Sequence, residues 1–189
     1  MEKLKSIDNV LEFIKDGSVL MIGGFLGVGA PDTLIDALID KNVKDLTLIA
    51  NDTAFENKSY GKLIANNQLS KVYTSHIGTN KETGKQMNAG EIDVNLIPQG
   101  TLIEQIRAKG AGLGGVLTPT GVGTMVEDGK ETIEIQGEKY IIELPLKADF
   151  ALVKAYKSDE SGNLIYDKSA RNFNPIIAMA ADQVIVETD

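Results

Sequence analysis

Four glycines stand close together in the segment GGFLGVG, which comprises Gly23, Gly24, Phe25, Leu26, Gly27, Val28 and Gly29. This segment follows the apolar run 19–22 and lies just before Pro31. Glycine lacks the Cβ atom that would keep a ligand away from the backbone. The backbone N–H groups, together with the N-terminus of a helix that begins at Pro31, could therefore face an anionic or carbonyl group. A tight turn that only packs a helix against a sheet has the same spacing, so both interpretations stay open.

The spacing and the sequence context of the glycines argue against the common nucleotide-binding motifs. From Gly24 the pattern is G-x-x-G-x-G, the reverse of the dinucleotide fingerprint G-x-G-x-x-G. The fingerprint does occur at Gly110, Gly112 and Gly115, but these glycines follow a predicted helix and precede Val-Leu-Thr-Pro instead of opening a helix. The Gly-Lys-Ser/Thr triplet of a phosphate-binding loop does not occur in the sequence.

A second candidate is the glycine-rich segment from Gly110 to Gly123, GAGLGGVLTPTGVG. A loop of this length inside a compact domain is more often functional than a plain connection. The hydroxyls of Thr118, Thr120 and the neighbouring Thr124 lie among its apolar residues. The segment is therefore a candidate binding loop, and a mobile connection is the alternative.

Isolated polar residues give weaker signals. His76 follows a predicted strand, and a hydrogen-bonded structural histidine is the favoured interpretation. Arg171, in the turn SARNFNP, suits recognition of an anion or a partner, or equally a buried ion pair. Glu91, Glu104 and Glu143 lie near apolar segments and are candidates for acid-base catalysis, although solvent-facing carboxylates are the default. No convincing nucleophile, general base or metal-binding set emerges from the sequence.

The composition narrows the classes of function. The chain has 189 residues, with 19 Lys and Arg against 27 Asp and Glu, and a net charge of −8. This balance argues against nucleic acid and an anionic membrane surface as partners. The absence of cysteine excludes disulfides, thiol nucleophiles and cysteine-based zinc sites, and a single histidine excludes a histidine-rich metal cluster. Because residues 1–13 lack the apolar core of a signal peptide and the least polar stretch, 19–31, is too short to span a membrane, we expect a cytoplasmic protein.

Predicted strands alternate with predicted helices, which is typical of an α/β fold with a mostly parallel sheet. Apolar spacing predicts helices over 7–14 and from Pro31, and the run 19–22 predicts a strand buried on both faces. The further predicted strands are 46–50, 71–75, 94–97, 149–156 and 184–186. The further predicted helices are 62–67, 101–108 and 174–181. Residues 132–135 and 139–143 predict a hairpin inserted after a long loop over 110–124. The fold class is therefore α/β, a single domain whose mostly parallel sheet is flanked by helices and carries an inserted hairpin.

Motifs along the whole chain resemble those of a known family. Asp16-Gly17-Ser18, four apolar residues and then GGFLGVGAP are similar to a signature GGFxxxGxP, and the similarity continues through LTLIANDTAF, SHIGTN, IPQGTLIEQIR, GAGLGG, TPTGVGT and SARNFNP. These segments resemble the α subunits of family I coenzyme A transferases, above all the members that act on acetate and acetoacetate. The resemblance implies the α/β fold that these subunits share with some sugar-phosphate isomerases, in one domain over residues 1–189. Family members usually continue past the strand 184–186, so it also implies a domain that lacks a C-terminal tail.

The resemblance implies an enzyme that moves coenzyme A from a short-chain acyl-CoA (acetoacetyl-CoA, butyryl-CoA or acetyl-CoA) to a free carboxylate such as acetate. In this family a glutamate attacks the thioester, giving an acyl-glutamyl anhydride and then a glutamyl-CoA thioester. That glutamate belongs to a separate β subunit. The resemblance therefore implies no catalytic residue in this chain, an α2β2 heterotetramer as the assembly, and coenzyme A as a substrate without a prosthetic group or metal.

Within this chain the turn 23–29 corresponds to the segment that the family uses for coenzyme A binding. Its backbone donors would approach the pantetheine amides or the phosphates, while Phe25 and Leu26 would offer apolar contact. On this interpretation Gly24→Val weakens coenzyme A affinity without unfolding the protein. Two alternatives stay open: a sugar-phosphate isomerase-like enzyme, which would act alone, and a non-catalytic domain that senses CoA esters or phosphosugars.

Overall fold

The computed structural model describes residues 3–188, in which strands and helices alternate over most of the chain. The strands are β1 (Val19–Ile22), β2 (Leu46–Ile49), β3 (Leu69–Thr74), β4 (Asp93–Leu96), β5 (Val116–Thr118), β6 (Thr132–Ile135), β7 (Glu138–Glu143), β8 (Ala148–Ala155), β9 (Lys157–Ser158), β10 (Leu164–Ile165) and β11 (Ala181–Thr188). The α-helices are α1 (Ile7–Leu11), α2 (Asp32–Lys41), α3 (Gly61–Ala65), α4 (Lys81–Ala89), α5 (Gln99–Gly110) and α6 (Asn174–Ile177), and a 3₁₀ helix covers Lys168–Arg171.

Six strands form a parallel sheet in the order β11-β8-β1-β2-β3-β4. In the central strand, Leu20 is in register with Leu48 of β2 and with Phe150 of β8. The predicted mostly parallel sheet is confirmed. Because all six strands run in the same direction, the segments that follow them emerge at one edge of the sheet, where ligands bind in open α/β folds.

The sheet is buried on both faces, as the continuous apolar run of β1 predicts. On one face, Leu20 and Ile22 of β1 belong to a core that contains the buried side chains of α1, α2 and α3. On the other face, Met21 belongs to a core with the buried side chains of α5 and α6. This three-layer arrangement fixes β1 from both sides and leaves its carboxyl end as the start of the glycine-rich turn.

A separate antiparallel sheet of three strands has the order β5-β7-β6. The predicted hairpin corresponds to β6 and β7. Its turn places Gln136 and Gly137 at φ values of 55° and 81°, the left-handed geometry of a two-residue hairpin loop. The third strand, β5, lies inside the segment 110–124 that we predict to be a loop, so that prediction is wrong at 116–118.

Other differences concern elements whose apolar pattern is weak. The helix α4 is absent from the predicted elements because only Thr83 and Gln86 of its side chains are buried, and neither is apolar. The helix α6 ends at Ile177, before the predicted boundary, and β11 is longer than predicted. In the described residues no helix is both long enough and apolar enough for a membrane span.

Candidate functional site

The glycine-rich segment forms a tight hairpin at the carboxyl end of β1. Phe25 and Val28 exchange backbone hydrogen bonds, with N···O distances of 3.0 and 2.9 Å. Between them, Leu26 and Gly27 have φ values of 50° and 83°. Left-handed geometry at both central residues is typical of a two-residue hairpin loop, where glycine is favoured and leucine is unusual. The tip therefore carries three apolar side chains, of which Phe25 and Val28 are half exposed.

Most backbone donors of this hairpin are already used inside the protein. The Gly23 amide donates to the Leu152 carbonyl, and the Gly24 amide to Oδ1 of Asn172. The Phe25 and Val28 amides donate to each other's carbonyls, and the Leu26 amide to Asp52. The expectation that the row of glycine amides faces a ligand is therefore wrong for these donors. What the hairpin offers outward is mainly its apolar tip.

The segment after β2 holds the hairpin from one side. Oδ2 of Asp52 accepts the Leu26 amide at 2.8 Å, and Oδ1 accepts the Ala54 amide and the Tyr60 hydroxyl at 2.7 and 2.9 Å. Burial and the neighbouring Asp52 carboxylate raise the pKa of the Tyr60 hydroxyl far above its usual range. Tyr60 therefore stays a hydrogen-bond donor to Asp52 at every physiological pH.

The segment after β10 holds the hairpin from the other side through two asparagines. Asn172 accepts the Gly24 amide at 3.1 Å and donates to the Val28 carbonyl at 2.8 Å, so one side chain spans the hairpin. Asn174 donates to the Gly29 carbonyl at 2.8 Å and accepts the Lys154 amide at 3.0 Å. A Cβ atom on Gly23 would lie 1.9 Å from Oδ1 of Asn174, which explains why glycine is required there. The hairpin is thus fixed between the segment after β2 on one side and the junction of the 3₁₀ helix with α6 on the other.

The N-terminus of α2 is occupied by a side chain of the protein. The Leu34 amide donates to Oε2 of Glu187 at 3.0 Å, and Oε1 of Glu187 is 3.2 Å from the Lys154 ammonium. The expected helix N-terminus at Pro31 exists, but the Glu187 carboxylate already accepts one of its free backbone N–H groups, that of Leu34. An anionic ligand would have to compete with Glu187 for this position.

A cleft of about 460 Å³ opens beside the hairpin. One wall consists of Leu26, Gly27 and Val28, and the rest of the cleft is formed by Asp32, Asp36, Asn57, Lys58, Ser59 and Lys62. Lys62 forms an ion pair with Asp36 at 2.6 Å. Lys58 makes no ion pair within residues 3–188, and its ammonium lies 5.7 Å from the centre of the Phe55 ring. Partial burial raises the pKa of Asp32, while Ser59 and Lys62 act in the opposite direction. The cleft thus combines an apolar wall with two lysines and two aspartates, of which Lys62 and Asp36 pair with each other.

The structure contradicts the interpretation of His76 as a hydrogen-bonded residue and the alternative of a buried ion pair for Arg171. The His76 side chain is exposed after β3, and its imidazole makes no hydrogen bond within the described part of the chain. The predicted hydrogen-bonded structural histidine is therefore wrong. Arg171 is exposed, with its guanidinium 5.9 Å from the centre of the Tyr166 ring, and it makes no ion pair among residues 3–188. The alternative of a buried ion pair is excluded for Arg171.

The second candidate loop and the candidate carboxylates do not line this cleft. In the segment from Gly110 to Gly123, the Thr118 hydroxyl accepts the Thr120 amide, and Thr124 donates to the Gly121 carbonyl, so these hydroxyls stabilise their own turns. Glu91 is exposed, and Glu104 pairs with Arg107 on the surface. Glu143 is buried and bonded to Lys130 at 2.6 Å and to Gln105 at 3.0 Å, which ties β7 to α5. None of the three carboxylates is placed for chemistry at the hairpin.

The residues that sequence reasoning missed are those that hold the hairpin. Asp52 comes three residues after the end of β2, a buried strand adjacent to β1, and this position at the carboxyl edge of a parallel sheet is a usable signal. Asn172 and Asn174 are separated from the hairpin by more than 140 residues, and nothing in their local pattern predicts which turn they hold. We found no group of His, Cys, Asp and Glu in the described residues that could hold a metal ion.

The sequence is similar to known proteins over nearly its whole length. Residues 4–189 match the family described as Coenzyme A transferase. The chain is 57% identical over 187 residues to the acetate CoA-transferase subunit alpha of Escherichia coli, covering 99% of this chain and 85% of that protein. It is 53% identical over 187 residues to the acetoacetyl-CoA:acetate/butyrate CoA transferase alpha subunit of Clostridium acetobutylicum, covering 99% of this chain and 86% of that protein.

The fold is similar to that of a solved transferase. The glutaconate coenzyme A-transferase of Acidaminococcus fermentans superposes with a TM-score of 0.83 at 19% sequence identity. The match covers 98% of this chain and 66% of that one. At this identity the likeness supports the fold, including the parallel sheet whose edge carries the hairpin.

Proposed function

The chain belongs to the coenzyme A transferase family, and from that premise we propose that it is the α subunit of an acetate CoA-transferase. The enzyme would move coenzyme A between a short-chain acyl-CoA, such as acetoacetyl-CoA, butyryl-CoA or acetyl-CoA, and free acetate. The observation that carries this proposal is the 57% identity to an acetate CoA-transferase subunit alpha. The relative from Clostridium acetobutylicum, whose name includes acetoacetyl-CoA, acetate and butyrate, supports the same class of substrates.

In this proposal the hairpin Gly23 to Gly29 binds coenzyme A through shape and apolar contact. Phe25 and Val28 project from a backbone that is held rigidly, so they can pack against the pantetheine arm without first being ordered. Lys58, at the cleft and without a carboxylate partner in residues 3–188, is suited to a phosphate of the same molecule. The turn thus contributes position and orientation, while coenzyme A enters as a substrate.

The nucleophile in this proposal is a glutamate of a β subunit. Its carboxylate attacks the acyl-CoA carbonyl and releases the CoA thiolate, forming a mixed anhydride. The thiolate then attacks the glutamyl carbonyl and releases the carboxylic acid product as its carboxylate, leaving a glutamyl-CoA thioester. Acetate reverses the two steps with its own carboxyl group. The cleft carboxylates Asp32 and Asp36 lie on α2, where Lys62 pairs with Asp36 and Ser59 hydrogen-bonds to Asp32.

An acyl-exchange assay tests the proposal. Acetoacetyl-CoA and acetate are incubated with this chain alone, with its β subunit alone, and with both, and the loss of acetoacetyl-CoA absorbance is followed. We expect turnover only in the mixture. The acetate CoA-transferase subunits of Escherichia coli serve as the positive control. Turnover by this chain alone, or none in the mixture while the control is active, would contradict the proposal.

The assembly and the location belong to the same proposal. The relatives are named alpha subunits, which supports a β subunit as partner of this chain. An α2β2 heterotetramer is the proposed stoichiometry, and the cytoplasm is the proposed location. Light scattering of the reconstituted mixture distinguishes an α2β2 assembly from a single αβ pair by a twofold difference in mass.

A further inference from the structure

We propose that Asp52 is the positioning residue of the coenzyme A hairpin, holding Leu26 so that Phe25 and Val28 are presented to the ligand. This inference rests on the proposed function for the identity of the ligand, and on the geometry for the role of Asp52. Asp52 is 1% exposed and so does not reach a ligand itself. Its effect is transmitted through the Leu26 amide, which donates to Oδ2 at 2.8 Å.

The surroundings of Asp52 favour a carboxylate. Oδ2 accepts the Leu26 amide and, at 2.9 Å, the Asn51 side-chain amide. Oδ1 accepts the Ala54 amide and the Tyr60 hydroxyl. All four partners are donors, and both oxygens of a carboxylate accept, whereas a side-chain amide has one acceptor and one donor end. An asparagine at this position would therefore direct its NH₂ group at a backbone N–H, that of Leu26 or that of Ala54, whichever way it is turned.

Leu26, which Asp52 holds, has a backbone conformation that is unfavourable for a residue with a side chain. Leu26 has a φ of 50°, in the left-handed region that non-glycine residues rarely adopt. Residues in such conformations persist where the surrounding structure fixes them. The base of the hairpin is fixed separately, because Asn172 bonds Gly24 and Val28. Loss of the Asp52 contact is therefore expected to release Phe25 and Leu26, while the Gly24 amide and the Val28 carbonyl stay in place.

The central variant is Asp52→Asn, assayed in the reconstituted enzyme. We expect the KM for acetoacetyl-CoA to rise about tenfold with kcat changed less than twofold, because binding depends on the hairpin and the nucleophile does not. The matched control is Gln68→Met. Gln68 is as deeply buried and donates to the Leu38 and Val43 carbonyls, at the opposite edge of the sheet. We expect that variant to lower Tm without changing KM, and an equal rise of KM in both variants would overturn the proposal.

A second readout does not depend on activity. The chain contains no tryptophan, so Phe25→Trp provides a single tryptophan, excited selectively at wavelengths where tyrosine does not absorb. We expect its anisotropy in the isolated chain to fall when Asp52→Asn is added and to stay constant when Gln68→Met is added. Unchanged anisotropy in the Asp52→Asn protein would overturn the positioning role, even if the acyl-exchange assay failed for its own reasons.

A measurement on the unaltered chain covers the case in which Asp52→Asn does not fold. Leu26 lies at the partly exposed tip, where an amide without a partner exchanges its hydrogen rapidly with water. Hydrogen exchange followed by NMR should show the Leu26 amide protected well beyond that of the exposed loop residue Gly129. Exchange of the Leu26 amide at the unprotected rate would contradict the contact with Asp52.

Discussion

At the level of single residues, the glycines and the apolar residues of the hairpin have different tasks. The glycines allow the close approach of Asn174 and Ala170 to the backbone, at Gly23 and Gly29 respectively. The surface that we propose to face the ligand is provided by Phe25 and Val28, which are half exposed. A segment that is rich in glycine for packing reasons can therefore still be a binding segment, through the residues between the glycines.

Replacing Phe25 tests the apolar contact directly. Because about half of this side chain is exposed and available for burial by a ligand, Phe25→Ser should weaken acyl-CoA binding by about 1 kcal/mol, or about fivefold in KM. Tm should stay the same, since the side chain contributes little to the core. Phe13→Ser, at a side chain that is 60% exposed and outside the cleft, is the control and should leave KM unchanged. Equal KM values for all three proteins would show that the tip does not contact the substrate.

Gly24→Val is expected to lower the stability of the protein, contrary to the expectation from the sequence. Gly24 has a φ of 131°, and a Cβ atom there would lie 3.1 Å from Cε1 of the buried Tyr60 and 3.2 Å from Cβ of Ala30. Strain and overpacking together should cost about 3 kcal/mol, or roughly 10 °C in Tm. Differential scanning calorimetry of the isolated chain measures this loss. A Tm within about 2 °C of that of the unaltered protein is what a neutral surface substitution would give. That result would support the expectation from the sequence, in which Gly24→Val leaves the fold intact.

At the level of secondary-structure elements, what could be predicted depends on whether the element buries apolar side chains. The strand β1 has a continuous apolar run because both of its faces are covered, and it was predicted at its observed bounds. The helix α4 buries Thr83 and Gln86 and is capped by Asn80, whose side chain accepts the Glu82 and Thr83 amides. A capping signal without an apolar stripe did not suffice to predict it. The two asparagines that hold the hairpin act over more than 140 residues of sequence, a distance at which local patterns carry no information.

The glycine inside α4 gives a prediction at this level. A Cβ atom on Gly84 would meet no atom within 4 Å, and Gly84 does not have a positive φ. Gly84→Ala should therefore stabilise the chain by about 1 kcal/mol through helix propensity, which is roughly 2–4 °C in Tm for a protein of this size. Gly90→Ala is the contrasting variant, because Gly90 ends α4 with a φ of 73° and alanine there should lower Tm. A Tm that falls with Gly84→Ala would mean that α4 does not form as described.

At the level of the whole molecule, stability and binding share one network around Asp52. Tyr60 is fully buried in the core, and its hydroxyl bonds the carboxylate that holds the hairpin. The same contact thus links the packing of the helix layer to the shape of the site. Titration of Tyr60 should therefore be visible in the stability of the entire chain.

The stability of the isolated chain should fall at both ends of the pH range, for different reasons. Hydrogen bonds from Lys85 and Lys71 lower the pKa values of Glu82 and Asp93, so their stabilising contribution is present above about pH 4.5 and is lost as the pH falls through the lowered values. Both groups lie at the surface, which makes the acid limb shallow. Burial raises the pKa of Tyr60, so the folded state keeps its proton while unfolded tyrosine ionises near pH 10.

The contribution of Tyr60 to stability therefore depends on pH in the opposite direction from that of Glu82 and Asp93. It is complete below about pH 10 and declines as the pH rises further. Tm measured from pH 3 to pH 11 should be level between pH 6 and pH 8 and fall steeply above pH 10. In Tyr60→Phe the neutral Tm should be lower, because Asp52 loses a donor, but the fall above pH 10 should be distinctly shallower. Surface lysines such as Lys147, whose pKa is raised by its hydrogen bond to Asp182, contribute equally to the alkaline limb of both proteins. If Tm falls equally steeply above pH 10 in both proteins, the group that titrates is not Tyr60. The hydrogen bonds around Asp52 would then not link the hairpin to the stability of the core.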